Sequence, residues 1–467
     1  MNRAPRRVLI VLVVAGVAVG GWLMSPRLAP RLDPAAESAS ASRGLAAAAA
    51  SNPTSTASVA AVSPAPVPTH TPGLGTPLVP SQSPGGSSPG PGSPTWPRRL
   101  GTPSATPMLA DVLNARLAKL STRYGLPGVS AAILFADGSI WRGTAGDADV
   151  AKGVPVTPDT SFSVASVSKT FTSALILALI EDGRLSLDGA ARHYLPSLPI
   201  DPAITVRELL DHTSGLRDFY FGAGVDHALL SRPTRVWDPA RSFKYVGKPF
   251  SKPGKEWHYS NTNYLVLGML AEAVGGAPEA KQLRDRFFTP LRMDDTFYQV
   301  PGEPWPGPVA HGYRFVGADP TLPAIDLSDG TPIRPFTSVV TAAGGAGSVA
   351  TSAADLAHWA AALYGGDVLD RATRDAMVAD AIRTAPLKPG IPYGLGVQEI
   401  TVDGHATLGH SGRFLGARAV FRWLPREHIA IAVLTNQSRT DPSLVLTSLL
   451  GLAFQPQPDC RSCADIP

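Results

Sequence analysis

Phe162-Ser163-Val164-Ala165-Ser166-Val167-Ser168-Lys169 leads into the most apolar helical stretch of the chain, and the reading of this segment decides the fold. The pattern predicts a helix over Ser166–Asp182, apolar nearly all round through Phe171, Leu175, Ile176, Leu177, Leu179 and Ile180. A helix without a polar face belongs at the centre of a domain. Gly183 stops it. Ser166 and Lys169 form an S-x-x-K, three residues apart and so on one helical face. The free N–H groups and dipole at the helix start favour an oxyanion beside Ser166. A serine hydroxyl needs a partner to take its proton, and a desolvated amine can do so. With nine lysines in the chain, about one such spacing arises by chance. Taken alone, Ser166 reads equally well as a cap and Lys169 as a solvated first-turn residue. A lysine in so apolar a helix argues otherwise.

Outward from this helix the elements fall into a symmetric plan. Upstream, Met108–Tyr124 has helical spacing, Val129–Phe135 is an apolar run, and Asp137-Gly138 is a hairpin turn signal before a second strand over Ser139–Ala145. Downstream to about residue 390 the pattern is helical and loop-like. It includes a helix over Tyr264–Val274 stopped by Gly275-Gly276, and a helix begun by Ser352-Ala353-Ala354-Asp355. Residues 299–340 are loop-rich and could cover a cleft. Strand signals return at Leu395–Val402, His405–His410, Gly416–Leu424 and Ile429–Thr435, and Ser443–Leu452 closes as a helix. Strands at both ends and helices between predict an α+β sandwich: one antiparallel sheet built from both ends of the globular region, flanked by helices, with an inserted, mainly helical lobe. A site belongs in the cleft between the two.

Two further motifs accompany the S-x-x-K. Tyr259-Ser260-Asn261 supplies a phenol that can relay a proton and an amide that can orient Lys169 or the substrate. By itself it reads at least as well as an aromatic loop capping the next helix. His410-Ser411-Gly412 is expected at the end of a strand, where glycine lets another chain approach closely. The N–H of Arg413 could then join that of Ser166 as an oxyanion hole. A lone His410 would more often be a satisfied sheet histidine.

The three motifs in this order resemble the serine β-lactamase and penicillin-binding-protein superfamily. The tyrosine of Tyr259-Ser260-Asn261 points to the branch of class C β-lactamases, D-alanyl-D-alanine carboxypeptidases and related esterases. Leu209–Leu216, Pro253-Gly254 and Gly344–Ser348 resemble further segments of that branch, so that the likeness spans about 108–454. It implies Ser166 as acyl-forming nucleophile, with Lys169 and Tyr259 sharing the acid and base roles in an order left open. It implies Asn261 as positioning group, Ser166 and Arg413 as backbone oxyanion donors, Ser411 and His410 as a third wall, and His212 as structural. One departure stands out: His410 replaces the lysine usual in β-lactamases of this branch and is expected to be partly charged near neutrality. That favours a D-alanyl-D-alanine carboxypeptidase or transpeptidase over an efficient β-lactamase. An esterase, or a binding protein whose acyl-enzyme scarcely turns over, would use the same residues.

Around this globular region (108–457) the composition changes. Arg3, Arg6 and Arg7 precede the uncharged run Val8–Met24 with no clear A-x-A cleavage site, which predicts an uncleaved signal anchor over 1–24 with the rest outside the membrane. Residues 25–107 hold 17 of the 46 prolines among Ser, Thr, Ala and Gly, and read as a disordered, partly extended linker. The formal net charge is +4; beyond the N-terminal arginines the charges read as scattered, with no basic stripe, giving nucleic-acid binding no support. Cys460 and Cys463, in the tail 458–467, are too few for a four-cysteine zinc site and could close a small disulfide loop. No metal or cofactor is implied. The expected partners are the membrane, through the N-terminal segment, and a small-molecule or peptidoglycan-peptide substrate.

Overall fold

The structure is a computed structural model that describes residues 105–315, 324–385 and 392–455. The expected anchor, nearly all of the expected linker, and Cys460 and Cys463 lie outside the described residues. Among these, no helix is long and apolar enough to cross a membrane.

The chain opens with α1 (Pro107–Tyr124), β1 (Gly128–Leu134), β2 (Ile140–Asp149) and β3 (Val154–Pro155). Its middle contains α2 (Ser168–Glu181), α3 (Asn261–Gly275) and α4 (Ala353–Gly365) among shorter elements. It closes with β4 (Gln398–Val402), β5 (His405–Phe414), β6 (Ala417–Leu424), β7 (Ile429–Thr435) and α5 (Ser443–Ala453). The seven strands form one antiparallel sheet in the order β3-β2-β1-β7-β6-β5-β4. The first and last long strands of the domain meet at its centre, where Val129 pairs with Thr435 and Leu134 with Ala430.

Strand periodicity sends alternate residues to opposite faces. Val129, Ala131 and Ile133 of β1 join Leu113 and Leu117 of α1 and Leu446 and Leu449 of α5 on one face. Ala132, Ala419, Phe421, Ala432 and Leu434 face the larger core around α2 and α4 on the other. The aromatic rings of Phe171 and Trp359 stack at 4.2 Å and tie α2 to α4. The expected sheet, its flanking helices and a helical insertion are all present.

Three local differences from the expected elements bear on the site. Helix α2 starts at Ser168; Ser166 lies two residues earlier, in a tight 3-10 turn over Ala165–Val167. The cause is the buried Ala165, whose φ of 48° is left-handed and incompatible with a continuous helix. Strand β5 runs on to Phe414, so that His410-Ser411-Gly412 lies inside it and not at its end. Its outer neighbour β4 pairs only as far as Gly409, opposite Gln398, and leaves residues 410–414 without a partner on that side. The turn carrying Ser166 comes up against this segment.

The charge is less even than the expectation of scattered charges allows. Eight cations and four acids fall between Arg217 and Glu256, within the inserted lobe. Among the described residues, none of these cations forms an ion pair. The reading of the charges as scattered passes over this stretch, in which Arg217, Arg232, Lys244, Lys248, Lys252 and Lys255 are exposed.

Candidate active site

Lys169 is fully buried. Its Nζ lies 3.2 Å from Ser166 Oγ, 2.7 Å from Asn261 Oδ1 and 2.8 Å from the carbonyl oxygen of Ala346. Burial pushes its pKa down to about 7, against the field of Asp218, which raises it. The proton inventory of these contacts is informative. An ammonium would donate to all three partners. A neutral amine has one lone pair, and it must receive a proton from one of them. The Ala346 carbonyl has none to give. Asn261 is held with its oxygen towards Lys169, because its Nδ2 donates to Asp218 Oδ2 at 2.6 Å. Ser166 Oγ is the one partner that can turn from acceptor to donor.

Asp218 anchors this arrangement from below. Its carboxylate also accepts from the backbone N–H of Asn261 at 3.1 Å and of Tyr220 at 3.0 Å. Burial pushes its pKa up, while these donors and Lys169 pull it back. Asn261 is therefore fixed at both backbone and side chain, at the first residue of α3.

Tyr259 precedes that helix. Burial holds the pKa of its phenol well above the usual tyrosine range, with Ser166 pulling the other way. It remains a neutral phenol at ordinary pH. Lys169 Nζ sits 5.0 Å from the centre of its ring. On its other side the ring packs on His212, centroids 4.3 Å apart. His212 Nδ1 accepts from the Ser260 N–H at 3.2 Å and lies 3.1 Å from Asn263 Nδ2. This clamps the backbone between Tyr259 and Asn261, in keeping with the structural reading of His212.

Gly412 brings β5 against the Ser166 turn. A Cβ there would fall 2.0 Å from the Val164 carbonyl oxygen and 3.0 Å from the Ser166 nitrogen. Only glycine permits this approach. Ser411 and Arg413, on either side, are exposed on the opposite face of the strand, and Ser166 is half-buried.

His410 departs from the expected wall residue. It is buried, with 1% of its surface exposed. Its Nδ1 donates to the Ser411 carbonyl at 2.6 Å, which leaves Nε2 to accept from the Tyr393 hydroxyl at 3.0 Å. Burial and the field of Lys169 drive its pKa down to about 3. The partial positive charge expected near neutrality is absent: His410 is a neutral hydrogen-bonded strut beneath the site.

A family model described as Beta-lactamase matches residues 113–452. The chain belongs to the beta-lactamase family. Penicillin-binding protein 4 of Amycolatopsis lactamdurans is 28% identical over 337 residues, covering 69% of this chain and 84% of the relative. Penicillin-binding protein 4* of Bacillus subtilis is 26% identical over 319 residues, 66% of this chain and 68% of the relative. Among solved structures, D-amino acid amidase of Ochrobactrum anthropi superposes with a TM-score of 0.61 at 25% identity, covering 74% of this chain and 97% of that one. A D-stereospecific amidohydrolase of Streptomyces gives the same score and identity over 75% and 98%.

In this beta-lactamase-family chain the S-x-x-K and Y-S-N side chains and the Gly412 backbone meet around Ser166. Sequence reasoning missed Asp218, the Ala346 carbonyl and Tyr393. Asp218 follows Leu209–Leu216 by two residues but belongs to no motif. Ala346 lies inside Gly344–Ser348, noticed only as a family-like stretch. Tyr393 gave no signal.

Proposed function

We propose that the chain is an exported serine hydrolase that works through an acyl-enzyme on Ser166, acting as a D-alanyl-D-alanine carboxypeptidase or transpeptidase on cell-wall peptides. The observation that carries the chemistry is the buried Lys169 amine, with Ser166 Oγ as its only proton-bearing partner. Lys169 takes the Ser166 proton as Oγ attacks the scissile carbonyl. The backbone N–H groups of Ser166 and Arg413 stabilise the oxyanion. As the C–N bond breaks, Tyr259 gives its proton to the departing amine and regains one from the Lys169 ammonium. Water, or an acceptor amine in transpeptidation, then attacks the acyl-enzyme with the same groups in reverse. Asn261 and Asp218 hold Lys169 in place.

The names of the relatives support the substrate class. Two are penicillin-binding proteins, and two structural neighbours are a D-amino acid amidase and a D-stereospecific amidohydrolase. A second reading, hydrolysis of small D-aminoacyl amides or esters, is favoured by the neutral His410, which offers no charge to a terminal carboxylate. Export and anchoring rest on the N-terminal sequence alone.

The test is a substrate panel on the full chain: a D-Ala-D-Ala peptide, a D-amino acid amide, a nitrophenyl ester and a chromogenic cephalosporin. Release of D-alanine above all other turnover is expected. Amide or ester turnover without D-alanine release would select the second reading.

A further inference from the structure

The lobe that supplies Asp218 and Asn261 carries a band of net positive charge leading away from the site, eight cations against Asp218, Asp226, Asp238 and Glu256, with none of the cations in an ion pair among the described residues. Arg217 adjoins Asp218 and donates its Nε–H to the Lys248 carbonyl at 2.8 Å. Lys252 and Lys255 follow on the same loop, which is held on the segment before Asp218 by the Gly254 N–H bond to the Thr213 carbonyl at 2.8 Å. All four side chains are exposed. The band continues through Gly222, where a Cβ would fall 2.1 Å from the Tyr245 carbonyl oxygen, and through Tyr245, whose ring lies 5.6 Å from that of Trp237. Beyond it, the Arg241 guanidinium lies 5.6 Å from the centre of the Trp237 ring, and a turn joins Arg232 to Arg235, whose N–H donates to the Arg232 carbonyl at 3.0 Å. Phe221, 69% exposed, offers an apolar surface on the same segment.

Unpaired like charges repel and destabilise the surface that carries them, so their concentration beside a cleft is better matched to a ligand than to folding. The third motif meanwhile supplies no cation, because His410 is buried and neutral.

We infer that this band is the charge-recognition surface of the enzyme, and that it recruits an acidic peptide whose carboxylate side chains lie outside the scissile residues. The inference rests on the proposed peptidase reading and names its substrate more narrowly. The band steers and retains the acidic part of the chain while the end residues enter the site between Ser166 and β5. Steering of this kind weakens with salt.

The test uses the full chain and two pairs of acyl donors. One pair is a D-Ala-D-Ala peptide with two glutamates, or with glutamines in their place; the other is a nitrophenyl ester with the same two tails. Both are assayed at low and high ionic strength. The acidic peptide should exceed its neutral twin in kcat/KM by roughly tenfold at low salt, and the gap should close at high salt. Changing Lys248→Gln, Lys252→Gln and Lys255→Gln together should remove most of the gap and leave the neutral peptide unchanged. Changing Lys119→Gln, Arg123→Gln and Arg426→Gln, on other surfaces, should leave the gap intact. Binding of the two peptides to Ser166→Ala repeats the comparison without turnover. Equal use of acidic and neutral donors by the wild type, or equal loss in the control variant, would overturn the inference. So would band-dependent binding of anionic vesicles or RNA without any preference between the donors. If the esters show the charge preference and neither peptide is cleaved, the band stands and the peptidase reading falls.

Discussion

In water Lys169 would hold its proton throughout the neutral range; burial brings its pKa down to about 7. If the amine takes the Ser166 proton, the acylation rate must rise with pH through about 7, as the free base forms. Lys169→Ala should slow acylation by roughly 10²–10⁴-fold, and Lys169→Arg should not restore it, because guanidinium keeps its proton. Tyr259 is held as a phenol by burial, so Tyr259→Phe should spare acylation by an activated ester far more than acylation by a peptide, whose amine must be protonated to leave. Equal loss on both donors would make Tyr259 part of the base. Asp218 raises the Lys169 pKa through its charge. Asp218→Asn should therefore move the acidic limb of the acylation profile to lower pH; a limb that stays in place or moves up would show that another group titrates there.

At the scale of elements, much of the plan is legible because each strand and helix carries its own period. The hairpin at Asp137-Gly138, the late strands and the apolar helix behind Ser166 all follow from local pattern. What is not legible depends on contacts between distant segments. The tight turn at Ser166 follows from the left-handed Ala165, and the reach of β5 past β4 from a register that no local signal sets. His410 is neutral because Tyr393 and its own strand enclose it, and Asp218 reaches Asn261 from 43 residues away. The motifs name the chemical groups, while burial and remote partners decide their charge. Two element-scale outcomes follow. Gly412→Ala would place a methyl against the Val164 carbonyl; it should reduce acylation sharply and lower the Tm. Behind α2, Glu279 accepts from Thr172 Oγ1 at 2.7 Å and from the Tyr298 hydroxyl at 2.9 Å. Burial raises its pKa from 4.5 to about 7. Between those values the folded state holds a proton that the unfolded chain has lost, so stability falls as pH rises through this window. Glu279→Gln should flatten that part of the Tm–pH curve, leaving the share owed to Asp355, also raised to about 7 by burial. An unchanged curve would mean that Glu279 is already ionised in the fold.

At the scale of the whole molecule, the two ends of the described domain meet in one sheet, and α1 and α5 close its outer face together. Near the start of the described residues, the Thr106 hydroxyl accepts from the Leu109 N–H at 3.2 Å and caps α1. A chain shortened to begin at residue 105 should stay soluble, folded and as active on soluble donors as the full chain. One that begins at 108 loses the cap and about 1 kcal/mol of stability. Thermal melts of the two check this, and an inactive or aggregated longer fragment would show that the preceding residues are part of the domain. The claim on which all three scales converge is that neutral Lys169 takes the proton of Ser166. It is tested most directly by the single-turnover acylation rate of the full chain against pH, read as the mass gained on the peptide containing Ser166. An adduct on Ser166 is expected, formed at a rate that rises through about pH 7 in the wild type and is mostly lost in Lys169→Ala. An adduct on another residue, or near wild-type acylation in Lys169→Ala, would contradict it.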